Sequence, residues 1–185
     1  MQLHALLVKW LKFQADYTQV GTYGVGGNGS VDKYEHKETK KCVALKKVKL
    51  HSVNLVNTHR DEVSIPKELQ HPGIVKLVTE PYRELVGADE SLYIPLEGCE
   101  GDNLSKCLSE SDILPLRYEC IQRIAYQVAS ALFHMHSKEI MHRNIKADNI
   151  LLTCTNLNRA LVKICDFGQV TSIAEPLRAQ EKNLK

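Results

Sequence analysis

Two stretches of this chain concentrate groups with the right types and spacing for chemistry. The first is Ile140-Met-His-Arg-Asn-Ile-Lys-Ala-Asp-Asn-Ile-Leu-Leu152, which sets His142, Arg143, Asn144, Lys146, Asp148 and Asn149 within eight residues. Asn144 can hydrogen-bond a hydroxyl group, but a neutral amide cannot take its proton. The second is Gly24-Val-Gly-Gly-Asn-Gly-Ser-Val31. Glycines there let the backbone come within hydrogen-bonding distance of phosphate oxygens, where a Cβ would obstruct the approach. Taken alone, a glycine-rich hairpin turn with no ligand fits equally well, and Gly21 and Gly27 leave the register of the glycines open. His134 and His136 lack an accompanying metal-ligand set and read as structural or solvated.

Four further segments give these stretches a context. Val43-Ala-Leu-Lys46 follows the glycine run, Glu62 precedes His71-Pro72, Ser91-Leu-Tyr-Ile-Pro-Leu-Glu-Gly-Cys-Glu-Gly-Asp-Asn-Leu104 comes next, and Asp166-Phe-Gly168 follows the polar loop. In order and spacing the set resembles that of eukaryotic protein kinases, with G-x-G-x-x-G-x-V, V-A-I-K, H-R-D-x-K-x-x-N and D-F-G. The resemblance covers about Tyr17 to Ala174. Lys146, two residues after Asn144, places it with the Ser/Thr type.

The resemblance implies a site for ATP and magnesium. Gly24, Gly26 and Gly29 would be the loop glycines over the phosphates. Val31 and Ala44 would contact adenine, with Leu96 at the back of its pocket and Leu151 beneath it. Glu97 and Cys99 would offer backbone groups to adenine, and Asp102 would bond the ribose. Lys46 would hold the α- and β-phosphates, aimed by an ion pair to Glu62. The bland alternative for Lys46 is a solvated strand lysine beside Lys47 and Lys49; for Glu62 it is an exposed helix carboxylate near Asp61 and Glu68. Asn149 and Asp166 would ligate magnesium, and Lys146 would contact the transferring phosphate. Arg143 would contact the activation segment, and Pro66, Leu77, His142 and Phe167 would stand at the positions of the regulatory spine.

The chain departs from the family pattern at four points. Asn144 replaces the aspartate that accepts or orients the hydroxyl proton. Pro66, four residues after Glu62, removes the N–H that would bond the Glu62 carbonyl, at about 3 kcal/mol in a helix interior, so a kinked or shortened helix is expected. Asp32 stands where an aromatic residue is usual, and a looser strand is expected there. Pro95 removes a ladder donor inside a strand and requires that its missing N–H face away from a neighbour. The family's domain also continues for about another hundred residues, through A-P-E and the substrate platform, so a partial lower lobe is expected.

The elements that must position these groups follow from periodicity. Ile121, Ile124, Ala125, Val128, Ala131, Leu132 and Met135 predict a long amphipathic helix ending near Ser137. Leu3, Leu6, Leu7, Trp10 and Leu11 predict another, packed on the adjoining domain; Lys9 and the lack of a small-residue cleavage pattern argue against a signal peptide. The expected plan is a helical extension at 1–16, an upper lobe at 17–96, a partial lower lobe at 97–174 and a disordered tail at 175–185. The expected fold is α+β and kinase-like, with a small antiparallel-sheet lobe, one helix and a partial helical lobe.

The net charge of +2 gives no reason to expect nucleic acid or a membrane surface as a partner. No apolar run reaches the roughly 18–20 residues of a membrane span. Six cysteines without a C-x-x-C pair suit free thiols in the reducing cytoplasm. The expected function is a Ser/Thr kinase-like protein that binds ATP and magnesium, with phosphotransfer impaired. The alternatives are a working kinase acting on protein hydroxyls, a non-catalytic module regulating a protein partner, and a remnant without function.

Overall fold

The computed structural model describes residues 2–26, 29–49, 68–78, 82, 85–87, 89, 91–110 and 116–172. Glu62 and Pro66, with the expected kink, lie outside the described residues. The chain divides into two units, Met1–Val63 with Lys76–Cys99, and Ser64–Val75 with Glu100–Lys185.

In the first unit, helix α1 (Gln2–Asp16) runs directly into strand β1 (Tyr17–Gly26), followed by β2 (Gly29–His36), β3 (Cys42–Lys49), β4 (Leu85–Val86) and β5 (Ser91–Glu97). They form one antiparallel five-stranded sheet in the order β1-β2-β3-β5-β4. Side chains alternate across a strand, so β3 sends Val43, Leu45 and Lys47 to one face and Ala44, Lys46 and Val48 to the other. On the first face Val43, Leu45, Leu85, Tyr82 and Tyr93 form a core with Trp10 and Phe13 of α1. Trp10 stacks on Tyr93 at 4.2 Å and Phe13 on Tyr17 at 4.4 Å, while Tyr34 and Tyr82 meet Phe13 edge-on. Lys37 Nζ donates to the carbonyls of Gln14 and Ala15, so a cation caps the negative end of the α1 dipole. On the opposite face Val48, Leu77 and Ile94 pack with Leu92 and Leu96.

Two of the departures have local explanations. Pro95 lies opposite Leu45 on β3. Its carbonyl accepts from Val78 N at 2.9 Å, and N–H and C=O of one strand residue point the same way. The missing donor therefore lies on the Val78 side, and the β3 ladder loses nothing. Asp32 finds a partner across the strands: its carboxylate accepts from Thr22 Oγ1 at 2.8 Å where the two residues face each other, and the β1–β2 pairing breaks step just beyond, between Thr22 and Gly24.

The second unit holds α2 (Leu104–Glu110), α3 (Tyr118–Ser137) and three short strand pairs or turns around them. β6 (Ile140–Met141) pairs with β9 (Thr171–Ser172), and β7 (Ile150–Leu152) pairs with β8 (Val162–Ile164), both antiparallel. Leu69, Ile74, Ala131, Met135, Ile140, Ile164 and Phe167 form one core cluster. Cys120, Ile150, Leu152, Leu157, Ala160 and Val162 form another. The long helix lies where its periodicity placed it, but Ile121 and Ala125, read as part of the inward stripe, are exposed. The architecture is α+β and kinase-like: an antiparallel sheet unit carrying a helix, and a mainly helical unit. Among the described residues no helix is long and apolar enough to cross a membrane, and all six cysteines are free thiols.

Candidate functional site

Strand register decides which of the sequence-named residues of the first unit share a face. Val31 lies opposite Lys46, Ala44 opposite Leu96, and Lys46 opposite Ile94. Directly opposed residues point to the same side, so Val31, Ala44, Lys46 and Leu96 all occupy the face away from α1. Gly24 lies opposite Val31, and Gly26 pairs with Gly29 at the hairpin end.

The glycines differ in what demands them. Gly29 has φ of +137°, and a Cβ there would come within 1.9 Å of the Lys47 carbonyl oxygen. Only glycine fits that conformation and that approach. A Cβ on Gly24 would meet nothing within 4 Å, so the fold itself does not require glycine there. Farther along, Glu97 N donates to Lys76 O at 2.9 Å, and its carboxylate accepts from Lys76 N at 2.7 Å. Cys99 is buried, and Gly98 packs so closely on the Cys42 carbonyl that a side chain would collide at 2.8 Å.

In the second unit the polar loop is built around His142. Its ring is buried and meets Phe167 edge-on at 5.6 Å. Nδ1 accepts from Asn144 N at 3.3 Å, so Nε2 carries the proton and donates to Cys165 O at 3.0 Å. Burial pushes its pKa below the ordinary 6.5, against the smaller opposing effects of the Cys165 carbonyl and the Asp166 carboxylate. Burial likewise lowers His71, helped by His134 and Lys163. His71 accepts from Gly73 N at 3.0 Å through Nδ1, and its Nε2 contacts Ser130 Oγ at 3.2 Å.

Both shifts have the same consequence. Above the ordinary value neither histidine is charged, folded or unfolded. As pH falls below 6.5 the unfolded chain takes up protons that the folded one resists, so stability falls. Amide exchange at Leu152, Val162 and Ile164 is expected to accelerate on acidification from about pH 7.5 to about pH 5 beyond its intrinsic pH dependence. Local stability that stays flat across that range contradicts the assignment of neutral rings.

From this anchor the chain turns sharply. Arg143 and Asp166 have φ of 60° and 66°, values that cost a non-glycine residue about 1–2 kcal/mol. Arg143 Nε donates to Gln169 O at 2.6 Å. Asn144 Nδ2 donates to Asp166 Oδ2 at 3.4 Å, and Asn149 Nδ2 donates to the Asn144 carbonyl at 2.8 Å. Cys165 N bonds the Asn149 carbonyl at 3.0 Å, tying the 3₁₀ turn Ala147–Asn149 to the segment that carries Asp166. Asn144, Asn149 and Asp166 are thus brought together, while Lys146 at the start of the turn is exposed. Leu151 is half-buried on β7 and bridges to Asn103.

Asp102 also adopts a left-handed conformation, φ 60°, and its carboxylate pairs with Lys106 at 3.0 Å. Asn103 Oδ1 accepts from Lys106 N at 2.7 Å and caps α2. That cap was not read from the sequence, although an asparagine just before a helix is its usual signal.

Among the described residues no group of three or more His, Cys, Asp or Glu side chains gathers to hold a metal ion. Magnesium does not need one: it is commonly held by one or two carboxylates with substrate phosphates and water. Asp166 supplies a carboxylate, and with Asn149 Nδ2 turned onto the Asn144 carbonyl, Oδ1 is the amide atom that could face such an ion. The donor set fits that ion.

These observations agree with a family model for the protein kinase domain, which matches residues 17–183. The chain belongs to the protein kinase family.

Proposed function

We propose that this kinase-domain protein binds ATP with magnesium and is a Ser/Thr-type kinase whose phosphotransfer is impaired. The observation that carries the second part is at Asn144. An amide stands at the proton-accepting position, and its Nδ2 is engaged with the Asp166 carboxylate at 3.4 Å. It can hold a hydroxyl group but cannot remove its proton.

On this reading Val31, Ala44, Leu96 and Leu151 contact adenine, with backbone groups of Glu97 and Cys99. Asp102 takes the ribose, Gly24, Gly26 and Gly29 cover the phosphates, and Lys46, aimed by Glu62, holds the α- and β-phosphates. Asn149 and Asp166 would hold magnesium, which neutralises charge on the phosphates when bound. Lys146 contacts the transferring phosphate, as in Ser/Thr-type relatives. The shared sheet face of Val31, Ala44, Lys46 and Leu96 supports the nucleotide reading, as does the space above Gly24.

ATP with magnesium at about 100 times its Kd is expected to stabilise the protein by about 2.7 kcal/mol, a rise of several degrees in melting temperature. Lys46→Ala should weaken that response, and Asp166→Asn should remove its dependence on magnesium. No melting shift with any nucleotide, with or without magnesium, would overturn the nucleotide-binding reading.

A further inference from the structure

Glu97 ends β5 two residues after Pro95, and the contacts proposed above use its backbone and not its side chain. It lies opposite Val43 on β3. Val43 packs toward α1, so the Glu97 side chain leaves the strand on that side too, away from the face shared by Ala44 and Leu96. Its carboxylate accepts from Lys76 N at 2.7 Å.

Strand pairing assigns that donor elsewhere. Leu77 bridges antiparallel to Leu96, which sets Lys76 opposite Glu97 and Val78 opposite Pro95. Val78 N donates to Pro95 O and Glu97 N to Lys76 O, both at 2.9 Å, so these two are the hydrogen-bonded pairs of the ladder. Residues in such a pair ordinarily exchange both bonds. Proline has no N–H with which to return the first. Regular pairing would return the second by sending the Lys76 N–H to the Glu97 backbone carbonyl. The carboxylate, a stronger acceptor, receives it.

On the nucleotide reading above, on which this rests, backbone groups of Glu97 meet adenine. The one exocyclic donor of adenine is its 6-amino group, so the Glu97 group that can meet it is the carbonyl. A ladder bond from Lys76 N would hold that carbonyl pointing across the sheet at Lys76. With the donor on the carboxylate, residues 76–78 stay tied to β5 and the carbonyl can turn to the base. Gly98 follows directly and lies against the Cys42 carbonyl, too close for a side chain, which fixes the chain on the far side of this residue. We propose that the Glu97 side chain is a positioning residue for recognition of the adenine 6-amino group: it holds the Lys76 donor so that its own backbone carbonyl can serve the base.

Titration of the full chain with ATP and with purine riboside triphosphate, which lacks the 6-amino group, tests this, each in the presence of magnesium. The unsubstituted protein is expected to favour ATP about tenfold, the worth of one good hydrogen bond. Glu97→Ala should cut that preference to about twofold or less, because the Lys76 N–H then moves to the carbonyl. Glu97→Gln keeps an oxygen acceptor and should keep the preference. Glu97→Met, of similar length but without an oxygen, should behave as alanine does, and replaces it if the alanine variant does not fold. A merely structural role would weaken both ligands in proportion, and that unchanged preference would overturn the proposal. So would a glutamine variant that behaves like alanine, or equal binding of the two ligands by the unsubstituted protein, in each case with nucleotide binding itself intact. Binding of neither ligand by the unsubstituted protein would overturn the nucleotide reading and this proposal together.

Discussion

Asn144→Asp is expected to raise phosphate transfer to a Ser/Thr-containing protein by about 10²–10⁴-fold, the usual worth of a positioned general base. That range corresponds to about 3–5 kcal/mol of activation free energy. Residual transfer by the unsubstituted chain is expected, because phosphoryl transfer depends mainly on positioning and charge stabilisation. The substitution has a second effect that geometry makes predictable. Asn144 Nδ2 donates to Asp166 Oδ2 at 3.4 Å, so aspartate would replace an attractive contact with a repulsive one. The variant should therefore be less stable than the parent without divalent cation, and should regain more on adding magnesium. Steady-state transfer and melting curves with and without magnesium check both halves. Transfer unchanged by the substitution would remove Asn144 as the cause of impairment. Transfer absent from both proteins, with the ATP-induced melting shift intact, would favour a non-catalytic regulatory module.

The second large effect lies far from the polar loop. Phe13→Ala is expected to destabilise the first unit by about 3–5 kcal/mol. Phe13 is 1% exposed and meets Trp10, Tyr17, Tyr34 and Tyr82. Its removal leaves a cavity that stiff aromatic rings cannot close. Folded domains hold only about 5–15 kcal/mol in total, so this is a large share. Leu11→Ala, at a position 65% exposed on the same helix, should change stability by less than about 0.5 kcal/mol. Trp10 is the chain's only tryptophan and stacks within this cluster on Tyr93, so its fluorescence reports on this unit directly. Equal denaturation midpoints for the two variants would show that α1 does not hold the sheet.

Much of this organisation was legible because it is local. Glycine spacing and Val43-Ala-Leu-Lys46 located the β1–β2 hairpin and β3, and the three- and four-residue steps located α3. What escaped the reading depends on partners remote in sequence. The helical spacing of Leu3 to Leu11 identified α1, but not that Trp10 would stack on Tyr93, more than eighty residues later. Asp32 looked like a defect until Thr22, across the strand, turned out to be its donor. The tolerance of Pro95 rested on which side of β5 its nitrogen faced, a matter of register. On α3 apolar residues occur on both sides, and a single-stripe reading drew Ile121 and Ala125 inward. At the candidate site, residue types were readable from motif position; the turn of Asn149 onto the Asn144 carbonyl and the left-handed backbone at Asp166 were not.

The margins of the sheet carry one more consequence. β4 is only two residues long, and β1, the opposite border, breaks step with β2 after Gln19 and again after Thr22. Each break inserts one extra residue, Val20 and then Tyr23, and bends the outer strand away from flatness. A ten-residue border with unbroken pairing would be a template for strand addition by another molecule, the first step toward fibrils. The two irregularities deny a newcomer a straight row of donors and acceptors, and so guard the sheet against growth along its open side.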